Sequence, residues 1–161
     1  MTPQQHDFLD RAFQAAKAAN HVEPEMAACE AALESGWGRS WLAVNDRNLF
    51  GCKQHQHPIY GTVALPTKEY LKGEWETVTA NFVNYPDWQS CFKDRMDTLT
   101  RLAAIVKPDG TPEYPHYRNA LTAGASTTYI TEVSRTWSTD PNRAEKVLAI
   151  YNAVAGDWNA T

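Results

Sequence analysis

Little in this sequence would staple it, insert it in a membrane or dock it by charge. Its 161 residues hold three cysteines, Cys29, Cys52 and Cys91, odd in number and widely spaced. At most one pair can form within the chain, so no disulfide framework holds the fold. The longest strongly apolar run, Leu102-Ala103-Ala104-Ile105-Val106, falls far short of the roughly 20 residues that cross a bilayer. Cations are not in excess either. Fifteen Lys+Arg against 19 Asp+Glu leave a net charge of −4, without the basic footprint of a nucleic-acid binder. The opening residues, Met1 to Asp7, carry neither a positive stretch nor an apolar one, so no signal peptide is expected. No repeat, low-complexity tract or linker breaks the chain, and one domain over residues 1–161 is the expectation. Together these absences predict a soluble monomer that neither binds nucleic acid nor inserts in a membrane.

Aromatic rings with a polar handle are plentiful: six Trp and seven Tyr. Such rings line sugar grooves, and they also build ordinary cores. Composition by itself favours the core.

The periodicity predicts helices at both ends and a strand-rich insert between them, about residues 55–86. Phe8, Leu9, Ala12, Phe13 and Ala16 mark one face of a helix over 5–19. Pro24 suits the first turn of a second, alanine-rich helix that Gly36 and Gly38 stop. The helical pattern fades after Trp41. From Ile59 to Tyr85 a period-two alternation and the turn Leu71-Lys72-Gly73-Glu74 predict a hairpin or three-stranded lobe, with Pro66 on an edge strand. Trp88, Phe92, Met96, Leu99, Leu102 and Val106 then return to helical spacing until Pro108-Asp109-Gly110. Short helices are expected over 117–123 and 126–137, and a last one from Asp140-Pro141 onward.

The stretch Ala31-Ala32-Leu33-Glu34-Ser35-Gly36-Trp37-Gly38 sets a carboxylate where an apolar helix meets a glycine break. A Glu that loses solvation there has a raised pKa and keeps its proton near neutrality. That is the requirement on a general acid for a glycosidic leaving group. A Glu at a helix end that simply stays in water is the plainer reading, and spacing alone does not separate the two.

Glu34-Ser35-Gly36-Trp37-Gly38, then Asn48-Leu49-Phe50-Gly51-Cys52-Lys53, then Trp137-Ser138-Thr139-Asp140-Pro141-Asn142 resemble glycoside hydrolase family 73. Thr67 to Glu74, with Phe82 and Tyr85, resembles that family's hairpin segment in order and spacing. These are N-acetylglucosaminidases of bacterial cell-wall turnover, flagellar assembly and phage lysis. The resemblance runs from about Asp7 to Val154. It implies an α+β, mainly α, lysozyme-like fold: a helical lobe, a small antiparallel β-lobe, and a groove between them for a peptidoglycan strand. It also implies Glu34 as general acid and Glu69 as the second carboxylate, in preference to Glu74 in the turn and Glu76 on the far strand. Phe50, Lys53 and Trp137 become candidate substrate-binding residues. Gly51 is expected to let the backbone pass close to its neighbours. Trp37 reads as a buried brace.

The sequence departs from the resembled pattern at three places. Trp137 stands where the family usually has Tyr, and an indole donates a hydrogen bond but accepts none. Arg143 stands where a second Tyr is expected, and Cys52 replaces an apolar residue. Asp140 is adequately explained as a helix cap.

Cys52, His55 and His57 have ligand-like spacing, but without a second ligand pair no metal is expected, and no cofactor. Without an export signal or wall-binding repeat, the enzyme is expected to be made in the cytoplasm and to act in the periplasm or cell wall. Delivery as an antibacterial effector or a phage-type lysin fits this, and an effector implies an immunity protein that plugs the groove.

Overall fold

A computed structural model describes residues 1–55 and 59–158. Seven helices and one hairpin follow in the order α1 (Pro3–Ala18), α2 (Pro24–Glu34), α3 (Trp41–Asp46), β1 (Gly61–Leu71), β2 (Glu74–Asn84), α4 (Trp88–Ala104), α5 (Pro115–Leu121), α6 (Ser126–Val133) and α7 (Arg143–Trp158). Thr2 opens α1 with a reciprocal capping box to Gln5, so two backbone donors that a helix start leaves unpaired are satisfied.

Helix α2 is the hub. Met26 through Ala32 are buried without a break, so no polar face remains, and α1 and α7 pack on it. Its small side chains allow those close approaches. Pro24 occupies the first turn, where its missing N–H costs nothing. Helices α4, α5 and α6 complete the lobe by pairwise contacts, and Leu9, Met26, Leu49, Phe92, Leu99, Ile130 and Val147 share one core cluster with them.

The hairpin has two strands, not three. Gly61 pairs with Asn84 and Leu71 with Glu74 in continuous antiparallel register. Cross-strand partners share a face, so Val63, Leu65, Thr67 and Glu69 lie with Phe82, Ala80, Val78 and Glu76. Only the base of this ladder enters the core, through Phe82 and Val83. The joint is Asn48. Its amide donates to the carbonyls of Cys52 and Val83, and its oxygen accepts from the Cys52 N–H at 2.9 Å.

Several sequence expectations need correction. Helix α3 lies where the helical pattern fades, because Trp41 and Val44 face solvent and leave no apolar stripe. Helix α4 stops at Ala104, since Ile105 turns extended and Val106 bridges to Pro112. Helix α6 ends at Val133 and α7 starts at Arg143. Asp140 therefore caps a turn ahead of the helix, accepting from the Asn142 N–H at 2.9 Å and from Lys146 Nζ at 2.6 Å. Nothing crowds Gly51; its requirement is a φ of +62°, not close approach. Gly38 carries both demands, with φ +76° and a built Cβ only 2.8 Å from the Phe8 ring.

Candidate active site

A cleft of about 880 Å³ opens beside the C-terminal end of α2. Its wall includes Glu34, Phe50, Lys53, Arg101, Trp137 and Arg143, which brings together four of the five candidates named from the sequence. Glu34 arrives on the last turn of α2, and Ser35 closes that helix with its N–H on the Ala31 carbonyl. Gly36, Trp37 and Gly38 then turn the chain away, all three with positive φ. Trp37 stays out of the cleft wall and sets its ring edge-on to Phe8; it is partly buried, not the fully buried brace expected.

Both oxygens of Glu34 are held. Oε1 accepts from Arg143 Nη2, and Oε2 accepts from the indole N–H of Trp137 at 3.4 Å. Behind it, Glu30 is fully buried one helical turn earlier on α2. Arg95 on α4 grips Glu30 with two parallel bonds of 2.8 and 3.0 Å, and Arg143 adds a third at 2.8 Å. The Tyr129 hydroxyl donates to Glu30 at 2.8 Å. The guanidinium of Arg95 also lies over the rings of Phe50 and Trp137, 4.8 and 4.2 Å from their centroids. Phe50 is thus mainly core, showing an edge to the cleft.

This network divides two neighbouring carboxyls. Burial pushes the Glu30 carboxyl up, but Arg95 and Arg143 outweigh it and hold the pKa at about 2. For Glu34 burial wins. Its pKa is raised, with Arg143 and Arg95 opposing and the Glu30 charge assisting. His21, buried against Arg95, is driven down to about 4 by burial first and that cation second.

Glu69 has another setting. It lies outside the cleft wall, half exposed on the hairpin, and bonds Lys53 Nζ at 2.5 Å. Glu76 faces it directly across the ladder, a like-charge pair that Lys53 offsets. Lys53 belongs both to the wall and to the hairpin base, where it bridges to Phe82, so it ties Glu69 to the rim.

The sequence reading missed Glu30 and Arg95. The available signal was charge on an apolar face: Arg95 falls between Phe92 and Leu99 on the buried stripe of α4. Asp94 beside it is also buried, taking the Tyr85 hydroxyl at 2.5 Å and facing His55 Nε2 at 3.4 Å. Of the Cys-His cluster, His57 lies outside the described residues. Among the described residues no group of three or more His, Cys, Asp or Glu is placed to hold a metal, and no helix is long and apolar enough to cross a membrane. The three cysteines are free, Cys29 and Cys91 fully buried.

Residues 10–155 match the family model described as glucosaminidase, mannosyl-glycoprotein endo-beta-N-acetylglucosaminidase. The exo-glucosaminidase LytG of Bacillus subtilis is 33% identical over 132 residues, 81% of this chain and 43% of that protein. A probable N-acetylmuramidase of Lactococcus lactis is 31% identical over 150 residues, 88% of this chain and 30% of that protein. The chain thus spans less than half the length of these curated relatives. The catalytic domain of the Listeria monocytogenes autolysin Auto superposes with a TM-score of 0.72 at 26% identity, over 95% of this chain and 85% of that one. A helical lobe, a two-stranded hairpin and a carboxyl at the end of a buried helix agree with the sequence match: the chain belongs to the glucosaminidase family of lysozyme-like glycoside hydrolase domains.

Proposed function

We propose that this chain hydrolyses peptidoglycan at the β-1,4 bond between N-acetylglucosamine and N-acetylmuramic acid, with Glu34 as general acid. One observation carries the reading: a cleft-wall carboxyl at the end of a buried helix whose pKa burial raises. Protonated Glu34 gives its proton to the bridging oxygen, the C1–O bond breaks, and the leaving sugar departs as an alcohol. Water then bonds to C1 and yields a proton. Glu69 is the second carboxylate, which accepts that proton, steadies the positive charge at C1, or bonds to C1 first. Inversion at C1 identifies water activation, and retention identifies a bonded intermediate. Phe50, Lys53 and Trp137 contact the glycan.

Glu34→Gln keeps the shape and removes the proton. Release of reducing ends from purified cell walls should fall by about 10²–10⁴-fold with the circular dichroism unchanged. A variant as fast as wild type refutes the assignment, and glycan binding without turnover in the wild type marks a binding module instead. The muramidase name of the Lactococcus relative supports a second reading on the same cleft. Mass spectrometry separates the readings: reducing-end N-acetylglucosamine for the first, reducing-end N-acetylmuramic acid for a muramidase, a 1,6-anhydro end for a lytic transglycosylase. The delivery reading is an effector or phage-type lysin acting in the periplasm or wall, and gene context tests it. An adjoining immunity gene whose product blocks turnover by a monomeric enzyme identifies the effector, and a neighbouring holin the lysin.

A further inference from the structure

Arg143 is the first residue of α7 and is almost wholly buried, yet it belongs to the cleft wall. One of its terminal nitrogens, Nη2, donates to two carboxylates on α2, Glu30 and Glu34. The other, Nη1, donates to Ser134 Oγ at 2.9 Å, just past the end of α6. The guanidinium is therefore fixed from two sides before it reaches Glu34. Arg95 and the Tyr129 hydroxyl fix Glu30 in turn. A Tyr at this position, as in the resembled family, has neither the charge nor the fork for such a bridge.

Charge counting shows what the bridge does. With Glu34 ionised, two carboxylates face two buried guanidiniums and the cluster is neutral. With Glu34 protonated, one positive charge is left over. The cluster is thus arranged for the product of proton donation, the Glu34 carboxylate, and not for its acid form. Burial works the other way and favours the protonated form. A preplaced cation that gains most when the carboxylate forms lowers the barrier to giving the proton up, because nothing must reorganise at that moment.

We propose that Arg143 is a positioning residue for the reaction: tethered by Glu30 and Ser134, it holds the Glu34 carboxyl in place and serves as counter-ion to the carboxylate left behind when the proton passes to the leaving oxygen. This rests on Glu34 being the acid. The groups facing Glu34 are Arg143 from α7, Arg95 from α4, Glu30 from α2 itself, the Trp137 indole beyond α6, and the Cys52 thiol before β1. Among the described residues, only Arg143 makes an ion pair with it.

The sign follows from the roles. A general acid works while protonated, so activity falls as pH rises through its pKa. Arg143 favours the ionised form and lowers that pKa, so its removal moves the fall to higher pH. The test uses Arg143→Gln and Arg143→Lys in the full chain, with two readouts. One is the ¹³C NMR titration of Glu34, assigned by its loss in Glu34→Gln. The other is the pH profile of kcat/KM, with kcat and KM separated, on purified cell walls. In Arg143→Gln the Glu34 midpoint and the alkaline limb should rise together by about one unit or more. There kcat should fall about tenfold or more with KM nearly unchanged. Lysine keeps a charge but reaches one carboxylate at a time, so Arg143→Lys should show the same changes, smaller. A folded Arg143→Gln with the wild-type midpoint overturns the proposal. If that variant does not fold, Arg143→Lys decides: wild-type midpoint and wild-type kcat together overturn it. Full activity in Glu34→Gln would instead refute the acid assignment itself, whatever the Arg143 variants show.

Discussion

The end of α2 and the outer half of the hairpin each carry a glutamate assigned to the proposed reaction, and they hold it by opposite means. Glu34 is wedged among partners from α2, α7 and the segment after α6, and burial first, then the opposing Arg143 and Arg95 charges, set its proton affinity. Glu69 stands on a two-stranded ladder beside solvent, with one flexible lysine as its partner. The proposed acid role calls for a raised proton affinity, and burial raises that of Glu34. A group that meets water and the departing charge needs to be within reach of solvent, and the half-exposed Glu69 is. The proposed roles divide along the same line as the packing.

Breaking the buried side should cost most. Arg95→Met leaves Glu30 with one cation and orphans the Tyr129 and His21 contacts, a loss of about 3–5 kcal/mol. Urea unfolding measures it, and a loss under about 1 kcal/mol would mean that the network is worth no more than a surface pair. Acid comes next and acts on the same residues. Glu30 has its folded pKa held at about 2, below the usual value of 4.5, so the stability it confers is complete above 4.5 and is lost as pH falls toward 2. His21 acts in the same direction from 6.5 down to about 4, because it is buried neutral. Urea midpoints from pH 7 to pH 2 should therefore fall in two overlapping steps, and a flat profile would contradict the buried pairing. The hairpin side should barely register in stability. Lys53→Met removes a half-exposed pair worth about 0–1 kcal/mol at most, yet frees Glu69 and exposes it to the opposing Glu76. Turnover should drop with the urea midpoint nearly constant; unchanged turnover would take Glu69 and its tether out of the reaction.

What the sequence disclosed and what it hid divide for a physical reason. Helix α2 and its end were legible because alanine spacing, Pro24 and the glycine break are local signals, and Glu34 sits on that break. The hairpin was legible from its alternation and turn, although its strand number was not. Helix α3 escaped because its large apolar side chains point outward. Glu30 and Arg95 escaped for a different reason: a charge buried by a partner on a distant helix looks, in sequence, like a charge in water. Arg143 drew notice as a departure from the family pattern, but only the packing of α7 against α2 shows what it grips.

The left-handed corner after Glu34 bears on which sequences this fold can accept. Gly36, Trp37 and Gly38 take positive φ in succession, and a side chain at residue 38 would collide with Phe8. In a library of single substitutions, residue 38 should therefore reject nearly every replacement, whereas residue 36, with open space around it, should favour Gly and Asn. Residue 37 should accept Gly or Asn more readily than a β-branched residue, losing ring contact but relieving strain. Invariance at residue 38 would then record geometry, and invariance at residue 34 the proposed chemistry.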